Sequence, residues 1–199
     1  MKRICVFCGS SLGFDEIFAE QAYLLGKTLA QRNIGLVYGG SNIGLMRELA
    51  NAALEYHGEV IGVMPHFMKE KELAHQNLSS LEVVNNMQER KSRMYELSNG
   101  AIALPGGFGT LDELFELLTW GQLGLHQKPI ALLNTVGYYN NLLSFIQTMV
   151  DKGFVGESSR AMILVHDEVD SLLDLMFNYR APEVDKWRKH RETNNGVNG

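Results

Sequence analysis

The sequence predicts an α/β fold, a doubly wound and mostly parallel sheet of about seven strands with helices on both faces. The first observation behind this prediction is that short apolar runs typical of β-strands alternate with longer segments in which apolar residues recur at the helical period. The second is that glycine-rich or serine-rich turns follow several of the apolar runs. In an open parallel sheet such turns lie at the carboxyl edge, where ligands bind.

The elements follow from these patterns in chain order. Strands are predicted at 4–7, 36–38, 60–63, 81–84, 101–104, 130–133 and 162–165. Helices are predicted near 16–32, 44–56, 87–98, 110–120, 138–151 and 168–178. Because strands and helices alternate, the chain is expected to form successive βαβ units in a Rossmann-like arrangement.

Composition narrows the class of protein. The chain has 199 residues and is 45% hydrophobic, so it can bury a substantial core. We expect one nucleotide-binding domain over 1–180 and a polar, mobile tail over 181–199. The net charge of −5 argues against a broad nucleic-acid surface. No apolar stretch reaches the roughly 18 residues of a membrane helix. The first strand starts at Lys2, which leaves no room for a signal peptide, so a cytoplasmic location is expected.

Two cysteines, Cys5 and Cys8, form a C-x-x-C pattern within an apolar strand. Redox pairs usually sit at the start of a helix, and a zinc site needs a second pair of ligands. Three residues apart on a strand, the two thiols point to opposite faces. We therefore predict buried thiols and no metal site, and the scattered histidines show no ligand spacing.

Small-residue turns follow three of the predicted strands, at 8–11, 39–44 and 105–110. Together they predict a site for a small, nucleotide-like ligand. The first turn lacks the G-x-G-x-x-G fingerprint of dinucleotide sites, and no Walker loop occurs. Neither NAD binding nor ATP hydrolysis is supported, and no cofactor is expected.

The turn over 104–113, with the sequence LPGGFGTLDE, is the most informative segment. Gly106, Gly107 and Gly109 allow positive φ and open the backbone N–H groups to a ligand. These groups and the helix dipole favour phosphate or carboxylate. Alternatively, Thr110 caps the helix and Glu113 completes a capping box. The two interpretations can coexist, but a cap alone does not explain three glycines.

A second charged cluster opens the helix that leads to the fifth strand. Helical spacing places Met87, Arg90, Lys91 and Met94 on one face, so two cations lie among apolar side chains. The cations either extend to water along the methionines or face a ligand.

The residues of the 104–113 turn and of the charged cluster together resemble those of a known enzyme family. The segment from Pro105 to Glu113, read with Met87 to Lys91, resembles the LOG ("lonely guy") family of cytokinin riboside 5′-monophosphate phosphoribohydrolases. The similarity extends over about 2–180, because other short segments fall in family order: Cys8 to Ser11, Tyr38 to Gly40, Gly44 to Met46, Gly62 to Pro65 and Trp120 to Gly124.

The resemblance implies hydrolysis of the N-glycosidic bond of a nucleoside 5′-monophosphate, which yields a free base and ribose 5-phosphate. It implies Arg90 and Glu113 as the catalytic pair. It also implies a homodimer and a set of substrate contacts: Glu72, Arg90, Lys91, Gly107, Phe108, Gly109, Thr110, Leu111, Asp112, Glu113 and Thr119, together with Ser10, Gly40 and Met46.

Chemistry is consistent with these roles. Cleavage builds positive charge on the sugar. A carboxylate such as Glu113 can stabilise this charge, or it can orient the attacking water. Arg90 is a poor proton donor, so electrostatic support of the phosphate or leaving group suits it better than acid catalysis. Asp112 points about 100° away from Glu113 and could meet the ribose hydroxyls. Glu116 lies one turn along the face of Glu113 and is expected to pair with Arg90.

Two departures from the family pattern leave the preferred base open between adenine and N6-prenylated adenine. Asp112 stands where many members have Glu, and Met46-Arg47 stands where Met-Gly is usual. Such sequences are often labelled lysine decarboxylase, but nothing here marks a Schiff-base lysine for pyridoxal phosphate. A nucleotide-sensing or carrier module is the other alternative, since folds of this kind also bind without cleaving. A pure binder does not need Glu113 beside an anion site.

Excess apolar surface on the helix of 110–120 agrees with a dimer. Four residues suffice for a stripe facing the core: Leu111, Leu114, Phe115 and Leu118. Four further residues remain to be covered: Leu117, Trp120, Leu123 and Leu125.

Overall fold

The computed structural model describes residues 1–71 and 73–183. The strands are β1 Arg3–Phe7, β2 Gly35–Tyr38, β3 Val60–Pro65, β4 Ser80–Val84, β5 Ala101–Ala103, β6 Ile130–Leu133 and β7 Ile163–His166. The helices are α1 Ile17–Gln31, α2 Gly44–Glu55, α3 His66–Lys69, α4 Met87–Glu96, α5 Phe108–Gln122, α6 Asn140–Asp151, α7 Glu157–Arg160 and α8 Val169–Phe177, with a 3₁₀ turn at Thr135–Gly137. Glu72 and most of the predicted tail, 184–199, lie outside the described residues.

The sheet has seven strands in the order β4-β3-β2-β1-β5-β6-β7, and every pair is parallel. The predicted α/β class is confirmed, and each strand lies within one or two residues of its predicted position. The chain builds outward from β1 to β4 and then returns to the other side of β1 with β5. The strand order therefore reverses at the β1–β5 pair, the position where doubly wound sheets bind ligands.

Two apolar layers cover the sheet. One face packs against α1, α2 and α8 through residues such as Leu25, Leu49 and Leu172. The other face packs against α4, α5 and α6 through residues such as Met94 and Leu114. The layers enclose the sheet because each helix presents its apolar side to it.

The two cysteines lie on opposite faces, as predicted. Cys5 belongs to the layer of α4, α5 and α6, and Cys8 belongs to the layer of α1, α2 and α8. Both are buried and unpaired with each other. Burial raises the pKa of each thiol well above its ordinary value, so both stay protonated and weakly nucleophilic.

Helix α5 begins earlier than predicted, which overturns the capping box. Its first residue is Phe108 and its N-cap is Gly107, with no side-chain cap. Thr110 is thus the third residue of the helix and is buried. The prediction was wrong because the carbonyl of Gly107 accepts the first helical hydrogen bond, from Leu111 N–H, so the helix begins before Thr110 although threonine is the more common N-cap residue.

The buried face of α5 also differs from the predicted stripe. It consists of Thr110, Glu113, Leu114, Leu117 and Gly121. Of the expected stripe only Leu114 is fully buried, because the polar Thr110 and Glu113 occupy the core-facing row. Leu117 belongs to the core. Four other apolar residues of this helix flank it half-buried: Leu111, Phe115, Leu118 and Trp120.

No helix in the described part of the chain is both long and apolar enough to cross a membrane.

Candidate active site

A cleft of about 390 Å³ opens at the carboxyl edge of the sheet, where the strand order reverses. Residues from the ends of β1 and β2, from the first turns of α2 and α4, and from the start of α5 surround it. They are Val6, Phe7, Cys8, Gly9, Ser10, Gly39, Met46, Met87, Arg90, Gly107, Phe108, Gly109, Thr110, Asp112 and Glu113. The three predicted small-residue turns therefore converge on one site.

An ion pair lies at the base of this cleft. Nη1 of Arg90 donates a hydrogen bond of 2.8 Å to Oε1 of Glu113, and each side chain is 9% exposed. Arg90 comes from the first half of α4, and Glu113 from the second turn of α5. The sequence places the two residues 23 positions apart, and the sheet topology brings them together.

Arg90 is fixed on three sides. Its Nε donates to the carbonyl oxygen of Val63 at 3.1 Å, and its Nη1 is held by Glu113. Its Nη2 lies against Gly39, where a Cβ atom would overlap it. The guanidinium is thus buried beneath the cleft, so the alternative in which Arg90 extends to water is wrong. A residue larger than glycine directly after β2 would force the guanidinium to shift.

Burial is the main influence on Glu113. It raises the pKa of this carboxyl above its ordinary value, while the charge and hydrogen bond of Arg90 oppose the shift. The carboxylate is poorly solvated and has one strong partner, which leaves oxygen lone pairs free for a water or a sugar. Such a group is suited to accept a proton or to stabilise a developing cation.

A second charge cluster stands at the rim. Nζ of Lys91 contacts Oδ2 of Asp112 at 3.0 Å and Oε1 of Glu116 at 3.3 Å. Burial lowers the pKa of Lys91, but the two carboxylates outweigh it and raise the pKa above the ordinary value. The predicted pairing of Glu116 with Arg90 is wrong, because Arg90 pairs with Glu113 and the cation that lies beside Glu116 is Lys91.

The glycine turn, residues 104–113, leaves open space beside the cleft. None of Gly106, Gly107 and Gly109 has a positive φ, so that expectation is wrong. Instead, a Cβ on Gly106 would overlap Thr110, whereas a Cβ on Gly107 or Gly109 would meet nothing within 4 Å and would project into open space. Glycine is thus required for close packing at position 106, whereas at positions 107 and 109 it leaves the space beside the turn open.

The start of α5 offers unpaired donors to that space. The first helical hydrogen bond runs from Leu111 N–H to the Gly107 carbonyl oxygen at 3.1 Å. The N–H groups of Phe108, Gly109 and Thr110 precede it and have no partner within the helix. They line the cleft at the positive end of the helix dipole, an arrangement that favours negatively charged groups.

Other predicted contact residues lie at varying distances from the cleft. Ser10 and Met46 line it. Gly40 has φ +73° and packs against Gly62 and Leu81 behind the cleft, and Leu111 points toward the core layer. Thr119 is nine residues beyond Thr110, about 13 Å along the helix. Its hydroxyl donates to the Phe115 carbonyl oxygen at 2.7 Å, so a direct contact with a ligand in this chain's cleft stays a prediction.

Sequence reasoning missed several residues of the site. Gly39 and Met87 line the cleft but were noted only as parts of a turn and of a helix face. Tyr138 holds the glycine turn, since its hydroxyl donates to the Gly106 carbonyl oxygen at 2.7 Å. The position of Gly39 directly after a strand was a usable signal, whereas nothing in the local sequence links Tyr138 to residue 106.

Within residues 1–71 and 73–183, no group of three or more His, Cys, Asp or Glu side chains is arranged to hold a metal ion.

Together, the switch-point cleft, the anion-binding helix start and the buried Arg–Glu pair define a nucleotide-site protein of the doubly wound α/β class. A family model described as "Possible lysine decarboxylase" matches residues 46–176. A cytokinin riboside 5′-monophosphate phosphoribohydrolase of Arabidopsis thaliana is 44% identical over 178 residues, covering 89% of this chain and 84% of its own. A probable enzyme of the same name from Oryza sativa subsp. japonica is 43% identical over 185 residues, covering 93% of this chain and 75% of its own. The chain belongs to this family, the LOG phosphoribohydrolases.

Solved structures share the fold at lower identity. The molybdenum cofactor binding protein of Rippkaea orientalis has a TM-score of 0.68 and 23% identity, covering 89% of this chain and 96% of its own. The molybdenum cofactor carrier protein of Chlamydomonas reinhardtii has a TM-score of 0.67 and 21% identity, covering 89% and 99%. These similarities establish the fold alone, so the chemistry has to be inferred from the residues of the site.

The family model's description does not fit the lysine beside the cleft. A Schiff-base lysine must be able to lose its proton, whereas Lys91 is held as a cation by Asp112 and Glu116.

Proposed function

We propose that this protein hydrolyses the N-glycosidic bond of a nucleoside 5′-monophosphate. Water adds across the bond between C1′ and the base nitrogen, so that the sugar gains the hydroxyl of ribose 5-phosphate and the base gains a proton. The observation that carries the proposal is the buried pair of Arg90 and Glu113, which lies in one cleft with an anion-binding helix start. The relatives' names, which specify this reaction, support it.

The phosphate is proposed to bind the N–H groups of residues 107–110. Glu113 follows Thr110 by three residues, about 4.5 Å along the helix axis, which is roughly a step from phosphate to ribose. Its carboxylate then faces C1′, where positive charge builds as the bond to the base breaks. It can stabilise that charge and orient the attacking water, and its raised pKa makes it a better proton acceptor.

Arg90 is proposed to act electrostatically. A guanidinium does not release its proton at neutral pH, so it holds Glu113 in place and supports negative charge on the phosphate or on the departing base. Its contacts with Val63 and Glu113 fix it before substrate arrives, which reduces the cost of ordering it during the reaction.

Asp112 and Lys91 are proposed to bind the sugar edge of the substrate. Asp112 lines the cleft and its side chain is 63% exposed, so it can reach ribose hydroxyls. Lys91 contacts Asp112 and restricts its direction. On the other side, Met46, Met87 and Phe108 give the cleft an apolar wall for the base. Both adenine and N6-prenylated adenine are compatible with such a wall.

We also propose a homodimer. An apolar groove of about 210 Å³ lies between α5, α6 and α7 and includes Phe115, Leu118, Met149 and Met162. Thr119 is exposed along this groove, so a second copy seated there would cover it. The apolar residues of α5 that line this groove are Phe115 and Leu118, which were predicted to face the core. None of the four residues predicted to need cover lines it, and one of them, Leu117, is in the core.

The proposed activity is tested by incubating the purified protein, without added cofactor, with AMP and with N6-isopentenyl-AMP, followed by chromatography. We expect free base and ribose 5-phosphate in equal amounts from at least one of them. Binding of both nucleotides without release of base would contradict the proposal and favour a nucleotide sensor or carrier.

A further inference from the structure

Three successive carbonyl groups between β5 and α5 each accept a hydrogen bond from outside the turn. The hydroxyl of Tyr139 donates to the carbonyl oxygen of Leu104 at 2.6 Å, and the N–H of Gly9 donates to that of Pro105 at 3.1 Å. The hydroxyl of Tyr138 donates to that of Gly106 at 2.7 Å. The backbone that leads into the anion site is therefore held peptide by peptide.

The hydrogen bond from Tyr138 to the Gly106 carbonyl determines the direction of the next N–H group, that of Gly107. The carbonyl of Gly106 and the N–H of Gly107 belong to the same trans peptide, in which the two groups point in opposite directions. Tyr138 lines a second cavity, of about 310 Å³, and Gly107 lines both this cavity and the cleft. With the carbonyl held on the side of Tyr138, the N–H of Gly107 is turned away from it. A hydrogen bond to the carbonyl also polarises the peptide and strengthens that donor.

The Tyr138 ring is itself held in place. It packs edge-on against Phe18, with ring centroids 5.7 Å apart, and against Tyr139 at 5.0 Å. The 3₁₀ turn before it contains Val136 at φ +45°, a left-handed conformation that β-branched residues rarely adopt. Such strain persists where the surroundings enforce it, and here it lies two residues before Tyr138.

We propose that Tyr138 is a positioning residue for the phosphate group of the substrate, acting through the N–H of Gly107. The inference rests on the proposed function, in which this turn binds a phosphate monoester. Tyr138 touches the turn and not the reacting atoms, so its removal affects ligands that carry a phosphate.

Tyr139 supplies a matched control. Its hydroxyl bond to the neighbouring carbonyl is equally short, but the peptide of Leu104 continues into Pro105, which has no N–H to orient. Tyr138→Phe and Tyr139→Phe thus each remove one hydroxyl and one carbonyl contact, and only the first releases a donor for the ligand. Tyr138 is 46% exposed, so its variant is expected to fold, which thermal unfolding checks.

The experiment measures binding of ribose 5-phosphate and of adenosine by calorimetry to the full-length protein and to both variants. We expect Tyr138→Phe to weaken the binding of ribose 5-phosphate roughly 3- to 10-fold, which corresponds to the loss of one hydrogen bond's contribution. The affinity for adenosine should stay within about twofold of that of the unaltered protein. Tyr139→Phe should leave the ratio of the two affinities unchanged.

Unchanged binding of ribose 5-phosphate by Tyr138→Phe, or equal weakening of both ligands, would overturn the proposal. The absence of ribose 5-phosphate binding in the unaltered protein would overturn it as well. Because the experiment measures binding and neither ligand is a nucleoside 5′-monophosphate, the comparison stands even if AMP proves not to be a substrate, so a failure of the proposed hydrolysis is distinguishable from a failure of this inference.

Discussion

Nη1 of Arg90 lies 2.8 Å from Oε1 of Glu113, and the two side chains are equally buried. Removing both charges from water is costly, and their attraction repays that cost only in part. An apolar pair would fill the same space with less penalty. The position of the pair at the base of an open cleft therefore indicates a role in chemistry rather than in stability.

Gly39 determines whether Arg90 can occupy its place. We predict that Gly39→Ala lowers kcat/KM by roughly 100-fold, since the new Cβ overlaps Nη2 and a displacement of about 1 Å can have this effect. The measurement is steady-state base release. Gly156→Ala is the control, because its Cβ would lie 3.8 Å from its nearest neighbour, Ser158, and it should retain full activity. Equal activity of the two variants would show that Arg90 need not be fixed by Gly39.

Two glycines of the turn should respond in opposite ways. Gly106→Ala collides with Thr110, so we predict a loss of about 1–3 kcal/mol in the free energy of unfolding. Gly109→Ala meets no protein atom and should keep that free energy within about 0.5 kcal/mol, while AMP binding weakens because the methyl group projects toward the anion site. Denaturant unfolding and calorimetry measure the two quantities. Tight AMP binding by Gly109→Ala would place the phosphate elsewhere.

The pH dependence of kcat/KM should report Glu113. Its carboxylate form is the active one, and burial raises its pKa above 4.5, so activity should fall with decreasing pH at a higher pH than for an ordinary glutamate. The negative charge of Asp112 contributes to the raised pKa. Asp112→Asn should therefore move the acidic limb to lower pH, whatever it does to the maximal rate. A limb that moves to higher pH would exclude Glu113 as the group that titrates.

The groove between α5, α6 and α7 should govern the oligomeric state. Thr119→Arg places a charged side chain in the groove at an exposed position, so we predict a change from dimer to monomer by analytical ultracentrifugation with little change in thermal stability. Thr148→Arg is matched to it, since Thr148 is also exposed on a helix and its hydroxyl also bonds to the carbonyl four residues earlier. A monomeric parent protein, or dissociation by both variants, would rule out this interface.

The alternation of strands and helices was predictable because apolar periodicity reports local burial. The three small-residue turns were likewise correctly assigned to one sheet edge. The partners of the charged residues were not predictable, since Arg90 and Lys91 on α4 meet Asp112, Glu113 and Glu116 on α5 only when both helices pack on the same face of the sheet. Spacing on one helix limited the choices for Glu116 but did not say which cation would reach it.

The start of α5 shows a second limit. Propensity favoured Thr110 as the cap, yet the chain turns at Gly107 because the preceding carbonyls are held by Tyr138, Tyr139 and Gly9. Such contacts come from distant parts of the sequence, and no local pattern encodes them.

The most direct test of the central claim is the rate of base release by Glu113→Gln at saturating nucleotide. The amide preserves the shape of the side chain and can still accept a hydrogen bond from Arg90, so the fold and AMP affinity should be retained. We predict a fall in kcat of about 10²- to 10⁴-fold. A near-normal rate from a correctly folded variant would contradict it and remove Glu113 from the chemistry.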